Sequence, residues 1–279
     1  MENFKLEGRP VSITGYHFPT DNPSHVVCLI HGIGEHMGRY KRMAEHFNRS
    51  GIALVGMDLR GHGSSAGPRG GTAPRTEILS DIDALINKVE SFYPNVPIVL
   101  YGHSMGGNIA LDFRARGTLN YKPSAYIISA PWIKLCKNIP SALYTMVKLM
   151  AKVKPDFQIS STVDEKDLGH PDNVLPYHDD PLVHDRITMA CAKDGYEIGN
   201  SIFDGPYVGN GLGAEKPTLL MHGDIDKICS VEGSRALKQH EPSIQYIEWK
   251  NLCHEIHNGG PDSLGDEVIQ KAIEFIKQQ

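Results

Sequence analysis

The chain has 279 residues, enough for one large α/β domain with an insertion. Hydrophobic residues make up 40% of the sequence and charged residues 22%, which is typical of a folded globular protein and excludes a disordered chain. The net charge of −5 excludes a general electrostatic attraction for nucleic acid.

Short apolar runs alternate along the chain with stretches of helical periodicity. In the stretch 76–92, for example, apolar residues recur three and four positions apart and form one helical stripe. The alternation predicts a mostly parallel central sheet with helices on both faces. The predicted elements in chain order are strand 25–30, helix 39–50, strand 52–57, helix 76–92, strand 97–101, helix 108–116, strand 125–129, strand 218–221, helix 231–239, strand 244–249 and helix 266–277.

The alternation is interrupted between residues 131 and 215. This stretch contains helical pieces, many Pro and Asp residues, and no convincing strand. We therefore expect one structural domain with a cap. Residues 1–130 and 216–279 form its core, and residues 131–215 form a helical cap over the sheet.

The first residues lack the apolar segment of a signal peptide, and no apolar run approaches the roughly 20 residues that span a bilayer. The five cysteines are widely spaced and contain no Cys-x-x-Cys pair, which predicts free thiols and a cytoplasmic location. The fourteen histidines include no His-Glu-x-x-His motif. We expect neither a metal nor a cofactor.

Residues Gly102-His103-Ser104-Met105-Gly106 match the pattern Gly-x-Ser-x-Gly of a nucleophile elbow. The motif directly follows one predicted strand and precedes a predicted helix, where a sharp turn needs small neighbours. The turn places the Ser104 hydroxyl at a helix N-terminus, whose free N–H groups favour negative charge. This context predicts Ser104 as a nucleophile and the α/β-hydrolase fold.

A serine nucleophile needs a histidine base and an acid, which follow it in this fold in the order Asp or Glu, then His. Strand 218–221 is followed by Asp224 and Asp226, and strand 244–249 is followed by His254 and, further on, His257. We choose Asp226 because two more residues let the loop fold back toward the histidine, with Asp224 as the alternative. We choose His254 for its distance from the strand end, and expect His257 to line the site.

The oxyanion hole is expected to use two backbone N–H groups. The first belongs to Met105, the residue after the nucleophile. The second belongs to the loop after the first predicted strand, where Ile33 is the expected donor.

Several motifs together resemble the monoglyceride lipases, which belong to a larger group of lysophospholipase-like serine hydrolases. The resemblance extends from about residue 25 to residue 277. The motifs that carry it are 31–36 (HGIGEH), Arg39-Tyr40, 58–64 (DLRGHGS), 102–107 (GHSMGG), 177–182 (YHDDPL), 226–229 (DKIC) and 254–257 (HEIH).

The resemblance implies a serine ester hydrolase that cleaves monoacylglycerols to fatty acid and glycerol through an acyl-enzyme. It implies Ser104, Asp226 and His254 as the triad, with Ile33 and Met105 as oxyanion donors. Cys229 matches a thiol near the active site of animal members, and the apolar residues of the cap differ from theirs. The residues that the resemblance implies for the polar pocket of the glycerol end are Glu35, Arg39, His103, Tyr177 and His257.

Three other functions are compatible with parts of the sequence. A lysophospholipase and a carboxylesterase for short-chain or hydroxycinnamoyl esters would use the same triad. A non-catalytic α/β-hydrolase that serves as a receptor or interaction module typically lacks a triad member, whereas all three candidates are present here. Ser104 at the elbow excludes the dehalogenases and epoxide hydrolases, which carry Asp there.

The stretch 132–155 contains five lysines and no Asp or Glu, in a chain that is acidic overall. It also carries many apolar residues on a helix predicted to start near residue 140 or 141. This composition is typical of a helix that lies in a membrane interface, so we expect a peripheral membrane contact. The alternative is a helix that packs its apolar face, including Leu149 and Met150, on the body of the protein.

Two thiols lie beside the predicted triad. Cys229 follows the acid by three residues, and Cys253 adjoins His254. We expect bulky maleimides to inhibit by reaching them, the alternative being two buried and inert thiols.

Overall fold

The computed structural model describes residues 1–137, 139–169, 177, 179–259 and 264–279. In this part of the chain a sheet of eight strands is covered by helices on both faces. The strands of this main sheet are β1 Glu2–Lys5, β2 Thr14–Phe18, β3 His25–Ile30, β4 Ile52–Met57, β5 Ile98–His103, β6 Ala125–Ser129, β9 Thr218–Gly223 and β10 Gln245–Trp249. Two further strands, β7 Gln158–Ser160 and β8 Arg186–Thr188, form a separate small sheet. The helices are α1 Lys41–Arg49, α2 Arg75–Phe92, α3 Met105–Arg116, α4 Ser141–Val153, α5 Met189–Asp204, α6 Val231–His240 and α7 Leu264–Ile276.

The main sheet has the strand order β1-β2-β4-β3-β5-β6-β9-β10. From β4 to β10 every neighbouring pair is parallel, whereas β1 and β2 are antiparallel to their neighbours. The carboxyl ends of β5, β9 and β10 therefore lie at the same edge of the sheet, where ligands bind in open α/β sheets.

Successive side chains of the central strands are buried on opposite faces of the sheet. In β3, Val26, Cys28 and Ile30 pack with α2 and α3, while Val27 and Leu29 pack with α1 and α7. A strand buried on both faces is apolar along its whole length, which explains the continuous apolar runs of the sequence. The predicted α/β-hydrolase architecture is confirmed.

Some elements differ from the prediction. The strands β1 and β2 were not predicted, since β2 (TGYHF) is rich in polar and glycine residues. The prediction of no strand between residues 131 and 215 is wrong, because β7 and β8 pair there as a two-stranded antiparallel sheet. Each has only three residues, too few for a recognisable alternation. Helix α3 starts at Met105, three residues earlier than predicted, despite the two glycines in its first turn.

The chain between β6 and β9 contains α4, β7, β8 and α5. Helix α4 packs on α5, and α5 packs on α3 and α6 of the main body. Within the described ranges, no helix is long and apolar enough to cross a membrane.

Candidate active site

Ser104 occupies a strained turn between β5 and α3. Its φ of 56° and ψ of −119° are unusual for a residue with a side chain. The turn brings α3 so close to β3 that a Cβ atom at Gly106 would collide with the carbonyl oxygen of Ile30. The sharp turn and the glycine are the features that a nucleophile elbow requires.

The three residues predicted as a triad form a continuous hydrogen-bonded chain. Ser104 Oγ lies 2.8 Å from His254 Nε2, and His254 Nδ1 lies 2.6 Å from Asp226 Oδ2. Because a carboxylate only accepts, Nδ1 of His254 carries the hydrogen and Nε2 is left to accept the proton of Ser104. All three residues are buried. The arrangement can activate the hydroxyl of Ser104 as a nucleophile.

The alternative acid, Asp224, contacts residues that follow β10 rather than His254. Its Oδ1 accepts a hydrogen bond of 2.7 Å from the N–H of Asn251, and its Oδ2 lies 3.3 Å from Lys250 Nζ. Asp226, which the sequence analysis preferred, is the one that contacts His254.

Burial and charge act in opposite directions on the base and the acid. Burial alone would lower the pKa of His254, but the charge and hydrogen bond of Asp226 raise it above its ordinary value of 6.5. Burial alone would raise the pKa of Asp226, but the charge of His254 and the hydrogen bonds of His222 and His254 hold it well below its usual range. The carboxylate is therefore kept ionised next to an imidazole that gains a proton readily.

His222 also contacts the carboxylate of Asp226, and sequence reasoning missed it. It is completely buried at the end of β9, and its Nε2 lies 3.1 Å from Asp226 Oδ2. The available signal was its place directly before Gly223 at the end of a strand, four residues before Asp226.

The two expected oxyanion donors lie beside Ser104. Met105 is the first residue of α3, so its N–H has no partner four residues earlier in the helix. Ile33 lies in the loop after β3 and, with Ser104, lines both cavities described below. This loop is held by Glu35, whose Oε1 accepts hydrogen bonds from the N–H of Gly32 at 2.6 Å and from Tyr40 at 2.7 Å.

A small cavity lined mostly by polar residues, here called the polar cavity, lies at Ser104. Of the expected pocket residues, Glu35, His103 and Tyr177 line it, together with Glu255, which sequence reasoning missed. Arg39 and His257 instead contact the lining residues: the ring of His257 lies 5.0 Å from that of His103.

Arg39 is buried between two carboxylates of this cavity. Its Nη2 lies 3.1 Å from Glu255 Oε1, and its Nε lies 3.6 Å from Glu35 Oε2. Burial and the charge of Glu255 raise the pKa of Glu35. Burial would also raise the pKa of Glu255, but the charge of Arg39 holds it below its ordinary value. The positive charge of Arg39 is thus balanced by the carboxyl groups of Glu255 and Glu35.

A larger cavity of about 390 Å³, here called the apolar cavity, also reaches Ser104. It lies between the main body and α4, and its wall is built mostly of aliphatic and aromatic side chains. These include Ile33, Trp132, Leu143, Met146, Val147, Ile187, Met189, Tyr196 and Ile228. Its size and lining suit a long hydrocarbon chain.

Cys229 forms part of the apolar cavity wall and is buried, whereas Cys253 is half-buried. Burial raises the pKa of both thiols. Complete burial predicts that Cys229 is modified slowly, and half-burial slows the modification of Cys253 less. Of the two thiols, Cys229 lines the same cavity as Ser104.

Comparisons with known proteins identify the family and agree with the fold. Residues 21–260 match the family model described as serine aminopeptidase S33, Hydrolase_4. The chain is 31% identical over 243 residues to a monoacylglycerol lipase of Mycolicibacterium smegmatis, covering 86% of this chain and 84% of that protein. It is 30% identical over 266 residues to an uncharacterized abhydrolase domain-containing protein of Dictyostelium discoideum, covering 94% of this chain but only 27% of that protein.

Among solved structures, the monoacylglycerol lipase of Paleococcus ferrophilus superposes with a TM-score of 0.82 and 28% identity, over 100% of both chains. The fold, the elbow and the family match thus lead to the same assignment. The chain belongs to the serine aminopeptidase S33 (Hydrolase_4) family of α/β-hydrolases.

Proposed function

We propose that this protein is a serine ester hydrolase that cleaves monoacylglycerols to fatty acid and glycerol. The observation that carries the proposal is the position of the Ser104–His254–Asp226 chain, at the junction of a large apolar cavity and a small polar one. A monoacylglycerol has the matching shape, since its ester joins a long hydrocarbon chain to a small polyol. Relatives named as monoacylglycerol lipases support the same substrate.

The mechanism follows from the hydrogen bonds of the site. Ser104 Oγ attacks the ester carbonyl carbon while Nε2 of His254 takes its proton, and Asp226 stabilises the resulting imidazolium. The N–H groups of Met105 and Ile33 stabilise the oxyanion. His254 then protonates the leaving glycerol oxygen. Water, activated by His254, attacks the acyl-enzyme and releases the fatty acid.

The charges of the polar cavity favour glycerol over a phosphate headgroup. Arg39 is already paired with Glu255 and Glu35, so a phosphate entering the cavity would meet buried carboxylates without a free cation among the described lining residues. Hydroxyl groups of glycerol are neutral and can donate to these carboxylates. This favours a monoacylglycerol lipase over a lysophospholipase.

A hydrolysis profile tests the proposal. With one acyl chain held constant, kcat/KM for the monoacylglycerol should exceed that for the lysophospholipid by more than about tenfold, which corresponds to roughly 1.4 kcal/mol. A p-nitrophenyl ester and a hydroxycinnamoyl ester complete the panel. Ser104→Ala should lower kcat by about 10⁶, as for serine proteases, with an unchanged fold. The proposal is contradicted if kcat/KM is higher for the lysophospholipid than for the monoacylglycerol. It is also contradicted if Ser104→Ala keeps a tenth of the wild-type activity.

We also propose that α4 contacts a membrane surface. Leu143, Met146, Leu149 and Val153 lie along one side of this helix and are 42%, 50%, 62% and 68% exposed. Of the eleven large apolar side chains that are exposed among the described residues, four lie on this helix. The packing alternative holds for only part of the helix, since Val147 is buried and Met150 packs against the core.

The charge around α4 supports the same contact. Lysines 148, 152 and 154 lie on or directly after α4, and anionic lipid attracts each by about 1 kcal/mol. Leu143 and Met146 also line the apolar cavity, so a membrane bound at α4 would lie beside the entrance for the acyl chain. We propose accordingly a cytoplasmic enzyme that binds membranes peripherally, in keeping with its five free cysteines.

A further inference from the structure

The completely buried His222 bridges β9, the loop of Asp226 and α6. Its Nε2 lies 3.1 Å from Asp226 Oδ2 and 3.1 Å from the carbonyl oxygen of Cys229, and its Nδ1 lies 2.7 Å from Ser234 Oγ. Both neighbours of Nε2 are acceptors, so Nε2 must carry a hydrogen. Nδ1 faces a hydroxyl, which can donate to it. The ring is therefore oriented at both ends.

Asp226 receives four hydrogen bonds, two at each oxygen. Oδ1 accepts from the backbone N–H groups of Ile228 at 2.7 Å and Cys229 at 2.9 Å. Oδ2 accepts from His254 Nδ1 at 2.6 Å and from His222 Nε2 at 3.1 Å. Without His222, Oδ2 would be held only by His254, the group that this oxygen has to orient.

We propose that His222 is a positioning residue for the acid of the triad: it holds Oδ2 of Asp226 in line with His254, and Ser234 fixes the ring of His222. The inference rests on the proposed function, because it requires Asp226 and His254 to act on Ser104. It goes further in assigning part of the work of the triad to a fourth side chain, which touches neither the nucleophile nor the substrate.

Two amide substitutions separate a hydrogen-bonding role from a packing role. In His222→Gln, the amide nitrogen reaches about as far as Nε2 and can still donate to Asp226. In His222→Asn, the amide nitrogen corresponds to Nδ1, so the variant keeps a polar group near Ser234 but loses the donor to Asp226. Ser234→Ala removes the hydroxyl that orients the ring and leaves His222 in place.

The assay is hydrolysis of a water-soluble p-nitrophenyl ester, so that neither membranes nor acyl-chain preference affect the result. For His222→Asn we expect kcat to fall about 10-fold to 100-fold with little change in KM, the usual effect of losing one hydrogen bond to a charged group. For His222→Gln we expect kcat within about threefold of wild type, and for Ser234→Ala a smaller loss than for His222→Asn.

The pH profile gives a readout that a purely structural role would not change. With one donor fewer, the Asp226 carboxylate attracts the proton of His254 more strongly, so the acid limb of kcat/KM should move to higher pH in His222→Asn and stay in place in His222→Gln. The titratable groups that face His222 and the triad include Asp226, His254, Cys229 and, at the end of β5, His103. Glu35 and Glu255 of the polar cavity also act on His254 through their charge. None of them changes between the two variants.

The folded state of each variant is checked by thermal unfolding. If His222→Asn does not fold, the comparison of Ser234→Ala and His222→Gln with wild type decides. The proposal is overturned if His222→Asn has the kcat and the pH profile of wild type. It is also overturned if His222→Asn and His222→Gln lose equal activity, or, where His222→Asn does not fold, if Ser234→Ala has the kcat of wild type. Failure of the proposed function is recognised separately: Ser104→Ala would keep its activity on the same ester if the triad were wrong, and the hydrolysis profile would favour another ester if only the substrate were wrong.

Discussion

Removing the two most exposed apolar side chains of α4 should weaken binding to anionic vesicles. Leu149 and Val153 are 62% and 68% exposed and lie one helical turn apart on the same face. Neither is part of the apolar cavity wall described above. The double substitution Leu149→Ser and Val153→Ser should therefore act on membrane contact without changing the space around Ser104.

The exposed fractions set an upper limit on the effect. Complete burial of a Leu or Val side chain is worth about 1.5–3 kcal/mol, so the two exposed portions together are worth roughly 2–4 kcal/mol. If half of this area enters the interface, the loss is about 1–2 kcal/mol, and the vesicle partition coefficient falls roughly 5-fold to 30-fold.

Cosedimentation with vesicles of phosphatidylcholine and phosphatidylserine measures the partition coefficient at low and high salt. Wild type should bind at low salt and dissociate as salt screens the lysines. The double variant Val208→Ser and Leu212→Ser is the matched control, since these side chains are also exposed, at 38% and 49%, but lie away from α4.

Hydrolysis rates provide the second measurement. The α4 variant should lose activity on vesicle-borne monoacylglycerol and keep it on a soluble short-chain ester, whereas the control variant keeps both. Equal losses on the two substrates, or equal vesicle binding by the two double variants, would refute a membrane role of α4.

Three further results are expected around the triad. Asp226→Asn should lower kcat by about 10⁴, as in a well-studied protease, because the acid orients His254, whereas Asp224→Asn should keep kcat near wild type; the reverse ranking in steady-state assays would assign the acid to Asp224. The acid limb of wild-type kcat/KM should have its midpoint above pH 6.5, because activity needs neutral His254 and the pKa of His254 is raised. In Asp226→Asn this midpoint should move to lower pH, and an unchanged midpoint would contradict the role of the Asp226 charge in raising that pKa. A bulky maleimide should inactivate the enzyme slowly by reaching Cys229, so Cys229→Ser should resist; full labelling of Cys229 in active enzyme would contradict this.

The hydrogen-bonded set of Ser104, His254 and Asp226 could be predicted because each of these residues follows a strand that the apolar pattern reveals. Ser104, Asp226 and His254 come after β5, β9 and β10, whose carboxyl ends share one edge of the sheet. Parallel strands are buried on both faces, so their sequence signal is strong, and the order of the three residues along the chain follows from the fold.

The surroundings of the triad could not be predicted in the same way. His222 lies in a strand and reaches Asp226 through a side-chain direction that sequence spacing does not specify. Glu255 adjoins His254, yet its role depends on Arg39, which is 216 residues away in the chain. For α4 the periodicity was visible, but the side of the helix that packs was not: Met150 contacts the core while its neighbour Leu149 is exposed.

Asp224 and Asp226, both in the loop after β9, help to position His254 through different contacts. The N–H of Asp224 donates to the carbonyl oxygen of Trp249 at 2.9 Å, and its carboxylate accepts from the N–H of Asn251 at 2.7 Å, so it ties this loop to the chain that leads from β10 to His254. These two hydrogen bonds hold the loop of Asp226 close to the loop of His254, so that Asp226 Oδ2 lies 2.6 Å from His254 Nδ1. Because the backbone bond of Asp224 survives in Asp224→Asn, and the new amide oxygen can still accept from Asn251, the loops should stay joined. Asp226→Asn, by contrast, removes the charge that fixes the tautomer of His254. The different expected losses in kcat thus follow from which bond each carboxylate makes, although the two residues are only two positions apart.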